Sequence, residues 1–470
     1  MSQPDHSTRA HLSLWDTVSI IIGIVIGAGI YETAPLIFKN VSGPWMGLAA
    51  WGLGGLLSLC GAFCYAELAS TYPRSGGDYV YLTKAFGSWA GFLFGWAQMT
   101  VIMTGSIGMM AYVFGNYATK MWDFGPNSMF LYAAAAVVFA TFTNIFGLVF
   151  GKRAQNFLTL VKILGLAGIL IAGFFWSNPS AGGPPLIAPE PGSFGLAMVL
   201  VLYTYGGWND AAFVAAEVND KRRNIPRALI LGIVALTIIY LLINSAYLFA
   251  MGFEGVRSSS AIAADVLQQP LGDFGAKAMS LLVMISALGA VNGLTYTGSR
   301  IYFTVGQDFS FVSWLARWHS SGSPVISLIT QGIITLLLIA IVGSTTAREG
   351  LNTLFATAGI GAISWEGHGG FDTLLRCTAP VFWLFFLMTG ISLFVLRRKD
   401  RKIERPFSVP FYPLLPIIFC GTCLYMLYSA AMYAGQLIIV GIIPLIVGTL
   451  IYLLSIRSEA RVRTRRGNEN

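Results

Sequence analysis

Gly23-Ile24-Val25-Ile26-Gly27-Ala28-Gly29-Ile30 and Tyr203-Thr204-Tyr205-Gly206-Gly207-Trp208-Asn209-Asp210 are two glycine-containing stretches inside apolar parts of this sequence. A glycine within a helix costs about 1 kcal/mol relative to alanine, so grouped glycines mark places where a helix is easily interrupted. Close packing of helices through small residues is the alternative, and Gly23 and Gly27 fit it by themselves. The positions of the two stretches in the chain favour interruption.

The composition around these stretches excludes a soluble enzyme. Of the 470 residues, 55% are apolar and 11% are charged, whereas soluble chains carry about 25% charged residues. With about 20 residues needed for each crossing, the apolar pattern predicts twelve spans. They run approximately over 14–38, 45–71, 86–117, 127–150, 154–176, 194–217, 227–252, 275–305, 324–343, 372–396, 412–433 and 435–456. The two stretches lie in spans one and six, where a 5+5 inverted repeat has its discontinuous helices.

The predicted fold is therefore an all-α polytopic membrane protein with discontinuous helices 1 and 6 and two extra C-terminal helices. The predicted segments are a tail (1–13), a first repeat (14–176), a second repeat (194–396), a helix pair (412–456) and a basic tail (457–470). The second repeat contains an insertion at 345–371, for which an external helix, a re-entrant cap and an insertion without function are equally good explanations.

The basic residues lie mainly on one side of the predicted membrane. About 22 of the 29 lie in the tails and in the gaps on the same side, including the clusters at 221–227 and 397–405. The opposite gaps hold Lys39, Lys120, Arg257 and Arg348. By the positive-inside rule, both termini are cytoplasmic. The net charge of +8 then reflects topology and contact with anionic membrane lipids rather than nucleic-acid binding.

An interrupted helix inside a membrane exposes backbone groups that need partners. N–H groups at the start of the second half suit an anion, and carbonyls at the end of the first half suit a cation. Two such interruptions facing each other match a zwitterion, and the free α-amino acid is the commonest metabolite of that shape.

Lys162 lies about eight residues into span five. A charge at that depth costs about 3 kcal/mol and usually faces a polar cavity, although a lysine reaching for the membrane surface is the alternative. We expect its ammonium to satisfy carbonyls of the interrupted helix, in place of a sodium ion. Glu67, near the end of span two, is expected to pair with loop arginines.

The sequence predicts no cofactor, no metal site and no enzymatic centre. The four histidines join no Ser/Asp or metal-binding constellation, and the five cysteines lie in apolar stretches at spacings typical of helix packing.

Several motifs resemble those of the amino acid–polyamine–organocation (APC) superfamily, and within it the L-type amino acid transporters (LAT) and their bacterial relatives. The match covers nearly the whole chain. The motifs are Gly27-Ala28-Gly29-Ile30, Tyr65-Ala66-Glu67-Leu68, Pro73-Arg74-Ser75-Gly76-Gly77, Tyr205-Gly206-Gly207-Trp208-Asn209, Asn224-Ile225-Pro226-Arg227-Ala228, Asn292-Gly293, Ser299-Arg300 and Arg405-Pro406-Phe407.

This resemblance implies a LeuT-like fold in which a bundle of spans one, two, six and seven rocks against a scaffold. It implies sodium-independent transport of L-amino acids, often by exchange. The residues that it assigns to substrate binding are Ile26, Gly27, Ala28, Gly29, Tyr203, Gly206, Gly207 and Asn209. Tyr203 falls where the family has an aromatic gate. Lys162 matches the family's span-five lysine, with Ser286 and Tyr247 as partners.

Two departures from the family bear on function. Ala28 replaces a common serine, and Asp210 replaces an aromatic or apolar residue, which favours a polar or cationic side chain on the substrate. Because no second acid is certain to line the pocket, neutral amino acids are the primary expectation. A proton-coupled symporter and a cationic amino acid or polyamine transporter are the alternatives. A signalling sensor of the same fold is disfavoured because the tail after Arg457 is short.

The loop from Ala118 to Asn127 has no cysteine, whereas animal heteromeric members use one there to link a glycoprotein partner. No disulfide-linked ancillary subunit is therefore expected. That absence favours a bacterial origin and the bacterial cytoplasmic membrane as the location.

Overall fold

Helices form the regular elements throughout the part of the chain that the computed structural model describes. The described residues are 12–26, 29–74, 76–145, 148–176, 193–210, 212, 218–317, 323–357, 359, 362–365 and 369–467. Apart from helices, these residues contain one isolated parallel bridge between Leu12 and Val218.

Among the described residues between 12 and 176 there are eight α-helices. They are α1 (Leu14–Val25), α2 (Gly29–Lys39), α3 (Pro44–Thr71), α4 (Asp78–Phe86), α5 (Ser88–Ala97), α6 (Met103–Met121), α7 (Ser128–Ile145) and α8 (Leu148–Ile171). A π-helical turn, Gln98–Ile102, joins α5 to α6, and a second, Ala172–Trp176, ends α8. The expected interruption of span one is confirmed, because α1 ends at Val25 and α2 begins at Gly29.

Among the described residues from 193 onwards there are eight more. They are α9 (Ser193–Thr204), α10 (Lys221–Ser258), α11 (Ile262–Asp308), α12 (Val325–Gly343), α13 (Thr345–Thr357), α14 (Gly370–Lys399), α15 (Leu414–Ala434) and α16 (Ile438–Gly467). Within predicted span six, α9 ends at Thr204 and the chain turns at residues 205–207. The rest of this discontinuous helix stays a prediction.

Local sequence explains where several of these helices begin and end. Ser13 and Asp16 form a capping box at the start of α1, in which the Ser13 backbone N–H donates to Asp16 at 3.0 Å and the Asp16 N–H donates to Ser13 Oγ at 3.1 Å. Pro44 occupies the first turn of α3, where its missing N–H costs no hydrogen bond. Gly435, with φ of 53°, separates α15 from α16.

Eight helical segments of the described chain are long and apolar enough to cross a membrane. One of them, Leu414–Ile456, contains both predicted spans eleven and twelve, and Leu14–Val25 and Leu160–Trp176 are two shorter apolar helices. The protein is therefore a multi-pass membrane protein. The count of twelve spans and the inverted repeat stay predictions.

The helices next to the two interruptions pack as one group. α3 lies along α10, α1 and α2 contact α10, and α9 packs against α2 and α3. Two glycines allow the closest approaches: a Cβ on Gly54 would collide with Val201 of α9, and one on Gly55 would collide with Thr237 of α10. In a second group, α6 packs against α7, α11 and α14, and α11 also contacts α1, α2 and α10.

The 345–371 insertion contains α13, so a helix is present there. Asn352 on α13 fixes the segment that follows, because its amide donates to the Ile363 carbonyl at 3.1 Å and accepts from the Ile363 N–H at 3.0 Å. The Trp365 indole donates to the same amide oxygen at 3.1 Å.

Candidate functional site

The end of α1 exposes carbonyls that side chains from other helices satisfy. Ile26 leaves the helical conformation with ψ of 68°. Lys162 Nζ of α8 donates to the Gly23 carbonyl at 2.8 Å, and Tyr240 Oη of α10 lies 3.0 Å from the Val25 carbonyl. Gly27 and Ala28, which the family resemblance assigns to substrate binding, lie outside the described residues. Gly29 begins α2, so its N–H belongs to the unpaired first turn of that helix.

The end of α9 requires glycine. After Thr204 the chain turns through Tyr205, Gly206 and Gly207, and the Gly206 N–H donates to the Tyr203 carbonyl at 2.8 Å. Gly207 has φ of 100°, which L side chains rarely adopt, and a Cβ there would lie 3.0 Å from Ile24 Cγ2 of α1. The two interruptions are therefore in contact.

Two contacts made by hydroxyl groups bridge the interruptions. Thr33 Oγ1 of α2 and Thr204 Oγ1 of α9 are 2.8 Å apart, and both side chains are buried. Tyr240 Oη lies 3.0 Å from the Val25 carbonyl and 3.0 Å from the Thr204 carbonyl. A phenol has a single proton, so Tyr240 donates to one of these carbonyls at a time and leaves the other available.

A cavity of about 100 Å³ lies beside both interruptions. Of the eight predicted substrate-binding residues, five line it: Gly29, Tyr203, Gly206, Gly207 and Asn209. Ile26 is buried but is not part of the cavity wall.

Tyr203 is held at the cavity by two neighbours. Its hydroxyl donates to Met109 Sδ at 3.2 Å, and its ring meets Phe371, at the start of α14, edge to face with centroids 5.9 Å apart. Its role as a gate stays a prediction.

Other lining residues could not be assigned from the sequence. Span three contributes Gln98, Ser106 and neighbouring apolar side chains, and α14 contributes Thr378 and Trp383. Gln98 lies in the π-helical turn, and such turns are frequent at functional sites because they shift the facing of the residues that follow. Because of that turn, helical periodicity alone does not predict which residues of span three line the cavity.

Lys162 is 1% exposed and lies against the first interruption. Within the described residues it forms no salt bridge, and the Gly23 carbonyl is the hydrogen-bond partner that the structure gives it. Ser286 Oγ and Tyr247 Oη, its expected partners, are buried without a hydrogen-bond partner among the described groups, so their link to Lys162 stays a prediction.

Glu67 pairs with two arginines, Arg405 in the loop, as expected from the sequence, and Arg397 in the last turn of α14. Its carboxylate, 0% exposed on α3, accepts from Arg397 in a bidentate pair, from Arg405 at 3.2 Å and from the Val409 N–H at 2.8 Å. Tyr72 adds a hydrogen bond to Asp400 at 2.6 Å. These contacts tie the end of α3 to the end of α14. Among the described residues, no group of three His, Cys, Asp or Glu side chains is arranged to hold a metal ion.

Comparison with known proteins identifies relatives over most of the chain. The family described as amino acid permease matches residues 12–453. The mouse large neutral amino acids transporter small subunit 2 is 29% identical over 463 residues, which cover 95% of this chain and 81% of the relative. The serine/threonine exchanger SteT of Bacillus subtilis is 25% identical over 453 residues, covering 94% and 97%. The mouse b(0,+)-type amino acid transporter 1 is 28% identical over 437 residues, covering 90% and 83%.

Proposed function

Because the chain belongs to the amino acid permease family, whose relatives described above are transporters and not enzymes, we propose that it exchanges neutral L-amino acids across a membrane without sodium. The observation that carries this proposal is the contact of the Lys162 ammonium with the Gly23 carbonyl at the end of α1.

The two interruptions supply the binding groups for the main chain of the substrate. The unpaired N–H groups that begin at Gly29 bind the carboxylate, helped by the positive end of the α2 dipole. The carbonyls near Tyr203 and Gly206 bind the ammonium group. Whichever of the Val25 and Thr204 carbonyls does not receive the Tyr240 proton accepts a further hydrogen bond from that ammonium.

The position of Lys162 supports sodium independence. The last turn of α1 carries unsatisfied carbonyls and the negative end of the helix dipole, where a cation is stabilising. The Lys162 ammonium lies at that place, 2.8 Å from the Gly23 carbonyl. A bound sodium ion is then not needed to hold the interrupted helix in its binding conformation.

Exchange through alternating access is supported by the name of the SteT relative and by the separation of the helices into two packed groups. We propose that α1, α2, α3, α9 and α10 move as the rocking bundle within a twelve-span, 5+5 fold with the domain boundaries predicted above. Both termini are proposed to be cytoplasmic in a bacterial membrane, and no disulfide-linked subunit is proposed.

The test uses purified protein in sodium-free liposomes whose lumens are empty or loaded with neutral L-amino acids. Labelled L-leucine and L-serine are supplied outside, with an inward proton gradient switched on or off. Uptake into loaded vesicles alone, independent of the gradient, is the expected result. Uptake into empty vesicles that rises with the gradient would replace exchange by proton symport.

A further inference from the structure

Asp210 is an acidic side chain in the wall of the cavity. It follows the second interruption directly, its backbone N–H donates to the Gly207 carbonyl at 3.1 Å, and its side chain is 6% exposed. Within the described wall of the cavity there is no lysine, arginine or histidine. A buried carboxylate is costly without a cationic partner, and in a membrane protein it marks a functional group.

The neighbours of Asp210 do not neutralise it. Asn209 Nδ2, a neutral donor, forms a long hydrogen bond of 3.3 Å to Asp210 Oδ1. The carboxyl of Asp78 also interacts electrostatically with Asp210. It accepts from Tyr65 and from Thr389 Oγ1 at 2.7 Å and has one oxygen without a partner among the described groups. The surroundings of Asp210 are therefore rich in acceptors and negative charge.

Two more acceptors belong to residues that line the same cavity. Asn209 Oδ1 and Gln98 Oε1 are buried, and neither has a hydrogen-bond donor among the described residues. The contact of Asn209 Nδ2 with Asp210 fixes the orientation of that amide, because a flipped amide would bring two oxygens together. Two of the side chains that line the cavity thus have an amide oxygen without a donor, and Asp210 accepts one hydrogen bond, from Asn209. A ligand that supplies donors and positive charge would satisfy all three side chains.

We propose that the cavity also accepts L-amino acids with a basic side chain, of the lysine and ornithine class, and that Asp210 is the residue that determines this specificity. The inference rests on the proposed function: the main chain of the substrate is bound at the two interruptions, and its side-chain ammonium pairs with Asp210 and donates to Asn209 and Gln98. A neutral substrate leaves the carboxyl with Asn209 alone.

The experiment compares L-lysine with L-norleucine, whose side chain lacks the terminal ammonium, as inhibitors of labelled leucine or serine uptake into loaded vesicles. In the wild type, lysine is expected to inhibit at concentrations no higher than norleucine. Asp210→Asn is expected to raise the ratio of the lysine to the norleucine inhibition constant at least tenfold.

Asp123→Asn is the matched control. Asp123 lies in the loop between α6 and α7, where the Gly125 N–H and the Ser128 hydroxyl, both at 2.8 Å, lower the pKa of its carboxyl. The control thus removes one ionised carboxylate far from the cavity wall, and the inhibition ratio should stay at the wild-type value.

Two results would overturn the inference. One is lysine inhibiting the wild type more weakly than norleucine by tenfold or more, a comparison that needs no variant to fold. The other is an Asp210→Asn ratio equal to that of the wild type. In both cases uptake of neutral substrate leaves the proposed function standing, whereas absence of uptake of any amino acid into loaded vesicles refutes the proposed function itself.

Discussion

The two interruptions are satisfied in different ways. The first, after α1, contains no charged side chain of its own among the described residues, and a lysine from α8 serves its Gly23 carbonyl. The second, after α9, is followed directly by the carboxyl of Asp210 and the amide of Asn209. The first region thus offers backbone groups to the substrate, and its charged group comes from another helix. The second region also offers side chains of its own. The difference suggests that the first region recognises the main chain common to all amino acids and the second discriminates among their side chains.

Removing the cation from the first interruption is expected to have the largest effect. A hydrogen bond from a charged donor to a buried carbonyl is worth up to about 3 kcal/mol, so Lys162→Ala should reduce the uptake rate about 100-fold while the protein still reaches the membrane. Lys277→Ala, at an exposed position of α11, is the control and should retain wild-type uptake. Equal uptake by both variants would show that Lys162 does not support the interruption.

The second interruption depends on backbone conformation instead. Alanine at position 207 must adopt φ near 100° and bring its Cβ within 3.0 Å of Ile24, a strain of about 1–3 kcal/mol. Gly207→Ala should therefore lower the uptake rate about tenfold. Gly52→Ala, on α3 where no atom lies within 4 Å of the new Cβ, should not. A Gly207→Ala variant with full activity would contradict the proposed contact between the interruptions.

A smaller effect is expected from removing the Tyr240 hydroxyl, which contacts carbonyls of both interruptions. Tyr240→Phe removes a hydroxyl that contacts the Val25 and Thr204 carbonyls, a loss of about 1 kcal/mol. The apparent KM for the substrate should rise about fivefold, measured as initial uptake against external concentration. Tyr428→Phe, at an exposed position of α15, provides the reference. An unchanged KM would show that Tyr240 does not contribute to binding of the substrate's ammonium group.

The smallest effect on uptake is expected at the contact between Thr33 and Thr204, which also joins the two interruptions. Thr33→Val deletes the contact with Thr204, but the Thr204 hydroxyl still donates to the Leu200 carbonyl at 2.8 Å, so uptake should fall only about twofold. Thr449→Val, on an exposed part of α16, removes a hydroxyl that bonds only within its own helix. A tenfold loss for Thr33→Val would mean that the two interruptions are coupled more tightly than their contacts indicate.

The interruptions could be predicted from the sequence because their cause is local. Grouped glycines weaken a helix wherever it packs, so α1 and α9 end inside the two quoted stretches. The depth of Lys162 in an apolar span likewise indicated a buried polar partner, and the structure brings it to Gly23.

The other residues of the site are brought together by the way the helices face one another. Local sequence patterns do not reveal that arrangement. Tyr240 and Thr33 are hydroxyl residues in apolar helices and differ in no sequence feature from others that bond only to their own helix. Gln98 faces the cavity from a π-helical turn that periodicity cannot locate. The helices α10 and α11 continue beyond the predicted spans through kinks at Gly252 and Gly272, with φ of 68° and 59°, because the span length limits only the membrane-embedded part.

The Lys162 ammonium is proposed to take the place of a coupling cation. This proposal is tested by a sodium titration of labelled amino acid uptake into amino-acid-loaded vesicles, with choline replacing sodium at constant ionic strength. The proposed mechanism predicts the same initial rate at every sodium concentration, including none. An uptake that is absent without sodium and saturates as sodium is added would contradict it.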